Sequence, residues 1–167
     1  MTLTSYAAVF SFLILIPVLF VSFFRNYEVY GYPKSEKGFG WGKVSARLIG
    51  NEKKVGNTII KKSPYDLLVW FGSDSLLDGS VKISELYLWD LKTKKTVLTI
   101  KDTSEMKIEK RESKCRACFK FNDIEMDYSD FILDVKFVLQ KDKQISENAV
   151  EFQFKPDFKR FRRIVGV

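Results

Sequence analysis

The first 24 residues, Met1–Phe24, carry no charged side chain, and within them Tyr6–Phe24 reads YAAVFSFLILIPVLFVSFF. A helix rises about 1.5 Å per residue, so this run of 19 residues covers most of the ~30 Å hydrocarbon layer of a bilayer. Only Ser11 and Ser22 are polar between Ala7 and Phe24, which leaves no polar stripe for a soluble amphipathic helix. A cleaved signal peptide is also a poor match, because no basic side chain precedes the run and no pair of small residues follows it at cleavage spacing. Pro17 falls mid-span and removes one backbone hydrogen bond, a kink that membrane helices accommodate. The sequence therefore predicts a retained transmembrane anchor over residues 1–24, a single pass, with the lipid bilayer as its first partner.

Two rules disagree about which side of the membrane the remainder occupies. Arg25, Lys34, Lys37 and Lys43 all follow the span, and the positive-inside rule then favours a cytoplasmic domain. Long folded domains translocate largely regardless of such charges, and one span followed by a β-rich domain is a common envelope and cell-surface plan. The expectation adopted is an extracytoplasmic C-terminal domain, with the cytoplasmic placement as its alternative.

About 140 residues remain after the anchor in this chain of 167, enough for one sizeable core and too few for two. Residues 25–42 (RNYEVYGYPKSEKGFGWG) are expected to form a juxtamembrane linker, with Tyr27, Tyr30 and Tyr32 at the height of an interfacial aromatic belt and glycines 38, 40 and 42 interrupting any regular element. From Lys43 the hydrophobic period is two. Runs at 43–49, 66–71, 81–90, 96–101, 118–124, 131–140 and 149–154 are rich in β-branched and aromatic residues. Phe131, Leu133, Val135, Phe137 and Leu139 share one strand face, as do Val150, Phe152 and Phe154, so each strand has one dry face and one wet face, as in antiparallel sheets. A polar hairpin at Lys141–Gln144 joins these two strands, and Gly50-Asn51, Gly56-Asn57, Asp78-Gly79 and Asn122-Asp123 read as turns. The predicted fold is mainly β: an antiparallel β-sandwich of immunoglobulin-like size, seven or eight strands, over residues 43–155. The spaced Cys, Trp, Cys framework of true immunoglobulin domains is absent.

The chain contains no histidine. That closes the Ser-His-Asp and Cys-His mechanisms and every histidine-ligated metal or haem site. Cys115 and Cys118 form C-R-A-C, the spacing of a redox dithiol or of half a zinc site, but two further soft ligands and a helix start are both missing. A local disulfide between Cys115 and Cys118 requires the segment to turn, because residues three apart in a strand are separated by ~10 Å, beyond the ~7 Å bridging limit. Glu125, Asp127 and Asp130 cluster without a calcium-loop pattern and read as a solvated acidic turn. No phosphate-binding glycine motif is present, and Gly38–Gly42 is not one. No catalytic, cofactor or metal residue is therefore assigned.

The C-terminal residues 156–167 form a basic tail. Lys159, Arg160, Arg162 and Arg163 are the candidate contacts to a membrane or a partner, while Phe154, Phe158, Phe161 and Val165 are spaced for an amphipathic helix starting near Pro156. The competing expectation is a terminal strand whose phenylalanines pack on the sandwich. Nucleic acid is not expected as a partner, since the basic patch is short and no nucleic-acid module surrounds it. The function expected from these features is non-enzymatic: a membrane-anchored binding or scaffold module, an accessory subunit of a membrane or envelope complex. The alternative is an anchored enzyme using carboxylates or the Cys115/Cys118 pair.

Overall fold

The computed structural model describes residues 24–73, 79–111, 114–141 and 144–164. The expected anchor over 1–24 lies outside these residues apart from Phe24. All regular structure among the described residues is β, with no helix long and apolar enough to cross a membrane. Twelve strands follow in chain order: β1 Phe24–Gly31, β2 Ser35–Phe39, β3 Gly42–Val55, β4 Thr58–Ser73, β5 Gly79–Asp90, β6 Thr96–Lys101, β7 Met106–Lys107, β8 Glu109–Arg111, β9 Lys114–Ile124, β10 Phe131–Lys141, β11 Gln144–Phe154 and β12 Asp157–Ile164.

They form two sheets. The larger runs β12-β1-β4-β3-β2, with β9 added to β4 and β8 to β9; the smaller runs β11-β10-β5-β6, with β7 on β5. Every pairing is antiparallel except β1 with β4, which is parallel over Asn26–Val29 and Thr58–Lys61, so the larger sheet is mixed. Both sheets contribute to one core. Tyr65, Leu67, Val69 and Phe71 of β4 alternate inward at no more than 1% exposure, and Phe131, Leu133, Val135, Phe137 and Leu139 of β10 meet them from the other sheet, as the two-residue period requires. Phe71 and Phe137 make the contact between layers, with ring centroids 4.8 Å apart.

Irregularities adjust this alternation. In β5 the inward residues are Val81, Ile83, Leu86 and Leu88, a change of parity that a strict period of two forbids. Lys136 pairs with Glu85 while Phe137 pairs with Ile83, so Ser84 is the extra residue of a bulge and re-aims the rest of the strand. The Gly50-Asn51 and Asn122-Asp123 signals are likewise irregularities inside β3 and β9 rather than turns: the register shifts at Gly50/Asn51, and opposite Asp123 at Tyr65/Leu67. A Cβ on Gly50 would stand 2.9 Å from the Lys62 backbone nitrogen, which explains glycine there. Gly56-Asn57 does form the β3–β4 turn, with Gly56 at φ +58°.

The expected linker over 25–42 is corrected: it supplies β1 and β2. Gly40 and Trp41 form the tight turn between Phe39 and Gly42. Tyr32 is no belt residue, since it is 5% exposed, donates from its hydroxyl to the Ser129 carbonyl at 3.0 Å and packs edge-on against Tyr65, Phe131 and Phe154. Of the two expectations for the tail, the amphipathic helix from Pro156 is corrected and the terminal strand is what forms. Pro156 ends the ladder of β11, lacking an N–H to continue it, and the chain crosses to the other sheet as β12.

Candidate functional site

Three strand ends and one hairpin tip meet at one end of the larger sheet. Because β1 is parallel to β4, both start there; because β12 is antiparallel to β1, it finishes there, with Ile164 opposite Phe24. The β3–β4 turn closes the same end. The Asn26 amide donates to the Asn57 carbonyl at 3.2 Å, and the Asn57 side-chain amide donates to the Phe24 carbonyl at 2.7 Å.

This geometry gathers charge. Strand β1, residues 51–62 around the turn, and β12 together hold nine Lys or Arg (25, 53, 54, 61, 62, 159, 160, 162, 163) against three acids, Glu28, Glu52 and Asp157. That surplus is most of the chain's net charge of +7. The four candidate residues of the tail are treated differently by their surroundings. Arg160 pairs with Glu28, directly opposite on β1, at 2.6 Å, and Lys159 reaches Asp157 at 2.9 Å. Arg162 instead donates to the Asn26 side-chain oxygen at 3.3 Å and lies 5.6 Å over the Phe24 ring. Arg163 covers Phe161 and Tyr27 at 5.1 and 5.8 Å, and those two rings stack at 5.3 Å. Rings and an amide orient Arg162 and Arg163, and among the described residues no carboxylate pairs with either.

Sequence reasoning singled out the tail and missed its neighbours. Arg25 faces Arg163 across the ladder, and Lys53 and Lys54 stand exposed beside the turn. A Lys-Lys pair preceding Gly56-Asn57 was the available signal for the hairpin; the proximity of Arg25 arises only from pairing across more than 130 residues. Two apolar side chains at the same end are also open to solvent, Val55 at 51% and Ile164 at 63% exposure.

The other candidates are dispersed. Cys115 and Cys118 lie on one unbroken strand, β9, with backbone partners Ser73 and Trp70, so the turn that a local bridge needs does not occur between them. Of the acidic trio, Glu125 and Asp127 border a cleft of about 520 Å3, together with Ser63 and Asp90, while Asp130 lends its carbonyl to the Leu91 amide. Glu125 accepts from the Ser63 hydroxyl at 2.9 Å. Asp90 is saturated: it accepts from the Ser129 hydroxyl, from the Thr93 amide at 2.6 Å and from the Thr93 hydroxyl at 3.0 Å. The Ser129 hydrogen bond, followed by that of the Thr93 amide, pulls its carboxyl down to about 2. A carboxylate so engaged locks the β5–β6 turn to the loop before β10 and is not available as an acid or base at neutral pH. Among the described residues no group of three His, Cys, Asp or Glu is placed to hold a metal ion.

No family model, curated protein or solved structure matches this chain. The functional reading therefore rests on the residues and their arrangement.

Proposed function

We propose that this protein is a single-pass, membrane-anchored β-sandwich of immunoglobulin-like size that acts as a non-enzymatic binding or scaffold module, an accessory subunit of a membrane or envelope complex with its sheet domain outside the cytoplasm. The observation that carries this reading is the junction at Phe24. The uncharged run of 1–24 leads into β1 with no intervening spacer, and β1 is an inner strand held between β12 and β4. A bilayer segment attached there keeps the domain close to the membrane, as a subunit docking on a membrane-embedded partner requires. The saturated hydrogen bonds of Asp90 and the separation of the two cysteines along β9 give the enzymatic alternative no support of its own.

Carbonate extraction of membranes followed by N-terminal mass spectrometry tests the anchor: the chain should stay with the bilayer and keep its first 24 residues. Recovery as a soluble protein, or a mature chain starting near Arg25, refutes it. Crosslinking and co-purification from detergent-solubilised membranes then tests the scaffold role, which predicts a stoichiometric protein partner.

A further inference from the structure

We infer that the basic end of the larger sheet is a second membrane contact, a docking surface for anionic lipid headgroups formed jointly by the β3–β4 hairpin tip, the start of β1 and the end of β12. The inference deepens the anchored reading and rests on it for the orientation of the domain. Three observations carry it.

The first is an unsatisfied pattern of charge. Arg25 and Arg163 are directly opposite in the β1/β12 ladder, and like charges at that spacing destabilise a sheet. Lys53 and Lys54 add exposed charge at the adjoining hairpin, whereas Arg160 and Lys61 further along are each answered by a carboxylate, at 2.6 and 3.3 Å. Among the described residues, acidic partners are thus placed away from the tip, and the bases left at it suit an external anion. Second, Val55 and Ile164 stand exposed among those bases, with the Phe24 ring beneath Arg162. Apolar side chains amid cationic ones are the pattern of a surface that enters the headgroup boundary of a bilayer. The third observation is position. The described chain begins at Phe24, and the 23 residues before it are uncharged. In a bilayer they place this end of the sheet, rather than any other, against the headgroups. Either leaflet would serve if it contains anionic lipid, because only the headgroup charge is needed.

The test uses the full chain reconstituted in nanodiscs of phosphatidylcholine alone or with phosphatidylserine, and reads amide hydrogen exchange by mass spectrometry. Peptides covering residues 51–58 and 158–164 should exchange at least about tenfold more slowly in the anionic discs at 0.1 M salt, with the difference lost at 1 M, where the screening length shortens from about 10 Å to about 3 Å. Equal exchange in both discs, or protection that survives 1 M salt, overturns the proposal. Replacing Lys53, Lys54, Arg162 and Arg163 by glutamine should abolish the difference while β10 amides remain protected. The corresponding Lys53→Arg, Lys54→Arg variant should retain it, and the salt comparison needs no substitution at all. Retention of the chain on phosphatidylcholine vesicles through a 1 M salt wash reports the anchor independently. If that retention fails while the chain still floats with phosphatidylserine vesicles at low salt, the anchored reading falls and the lipid contact stands. If soluble polyglutamate protects the two peptides and anionic discs do not, the surface serves an acidic polypeptide and the lipid assignment is wrong.

Discussion

Asp90 shows how a carboxylate can be fully occupied by its own fold. Its three donors, the Ser129 and Thr93 hydroxyls and the Thr93 amide, favour the charged form and hold its carboxyl at about 2, well below the usual carboxylate range. A group whose folded value is depressed contributes stability that is fully present above its unfolded value and is lost as pH falls through the folded one. Asp90→Asn should therefore melt below the parent at pH 7, and the gap should close as pH is lowered from about 4 to about 2. Melting curves of both proteins across that range check this, and a gap that stays constant would mean that the charge of Asp90 is irrelevant. Nothing in the sequence marks Asp90: Asp90, Thr93 and Ser129 become a unit only when the turn after β5 and the loop before β10 are brought together. Tyr65 is similar. It reads as one more aromatic in a strand, yet it is 1% exposed and donates from its hydroxyl to the Tyr30 carbonyl at 2.6 Å.

Legibility at the level of strands followed from how each one is buried. All seven runs with alternating apolar residues are strands, most of them longer than their apolar part, and 96–101 coincides with β6. β1 and β2 went unexpected, and β12 was only one of two readings of its segment, for a common reason. They lack a dry face: β1 is half-buried at every position, and β2 and β12 are largely exposed. In β12, Phe158 and Phe161 lean on Tyr30 and Tyr27 of the neighbouring strand instead of entering the core. Their loss should thus be local. Phe161→Ala should cost about 1 kcal/mol, the size of a cross-strand aromatic pair, and should speed hydrogen exchange mainly in β12 and β1. Phe137→Ala, at 1% exposure and packed on Phe39, Trp41 and Phe71, should cost about 3 to 5 kcal/mol by chemical denaturation. Comparable losses for the two would put Phe161 in the core and contradict the strand packing.

For the molecule as a whole, a single cluster of buried residues drawn from both sheets implies that the layers cannot melt separately. Trp41 and Trp70 report on the larger sheet and Trp89 on the smaller. Their combined fluorescence transition should coincide with that seen by far-ultraviolet circular dichroism, as a two-state domain requires; two resolved transitions would divide the molecule into independent halves. The overall class was readable because the period of two recurs along most of the chain. The basic end was only half readable, since a run of arginines shows in a sequence while the strands that will lie beside it do not.

The placement of β1 also has a mechanical consequence. A tension applied at Phe24 along the strand acts on a segment flanked by β12 on one side and by the first residues of β4 on the other. Its ladder bonds run across the direction of pull, so they bear load simultaneously in shear rather than opening one after another from an end. Tension entering at Ile164, on the outermost strand, meets one ladder in place of two. The fold therefore resists force most where the apolar N-terminal run joins it, and it should yield first at its C-terminal strand.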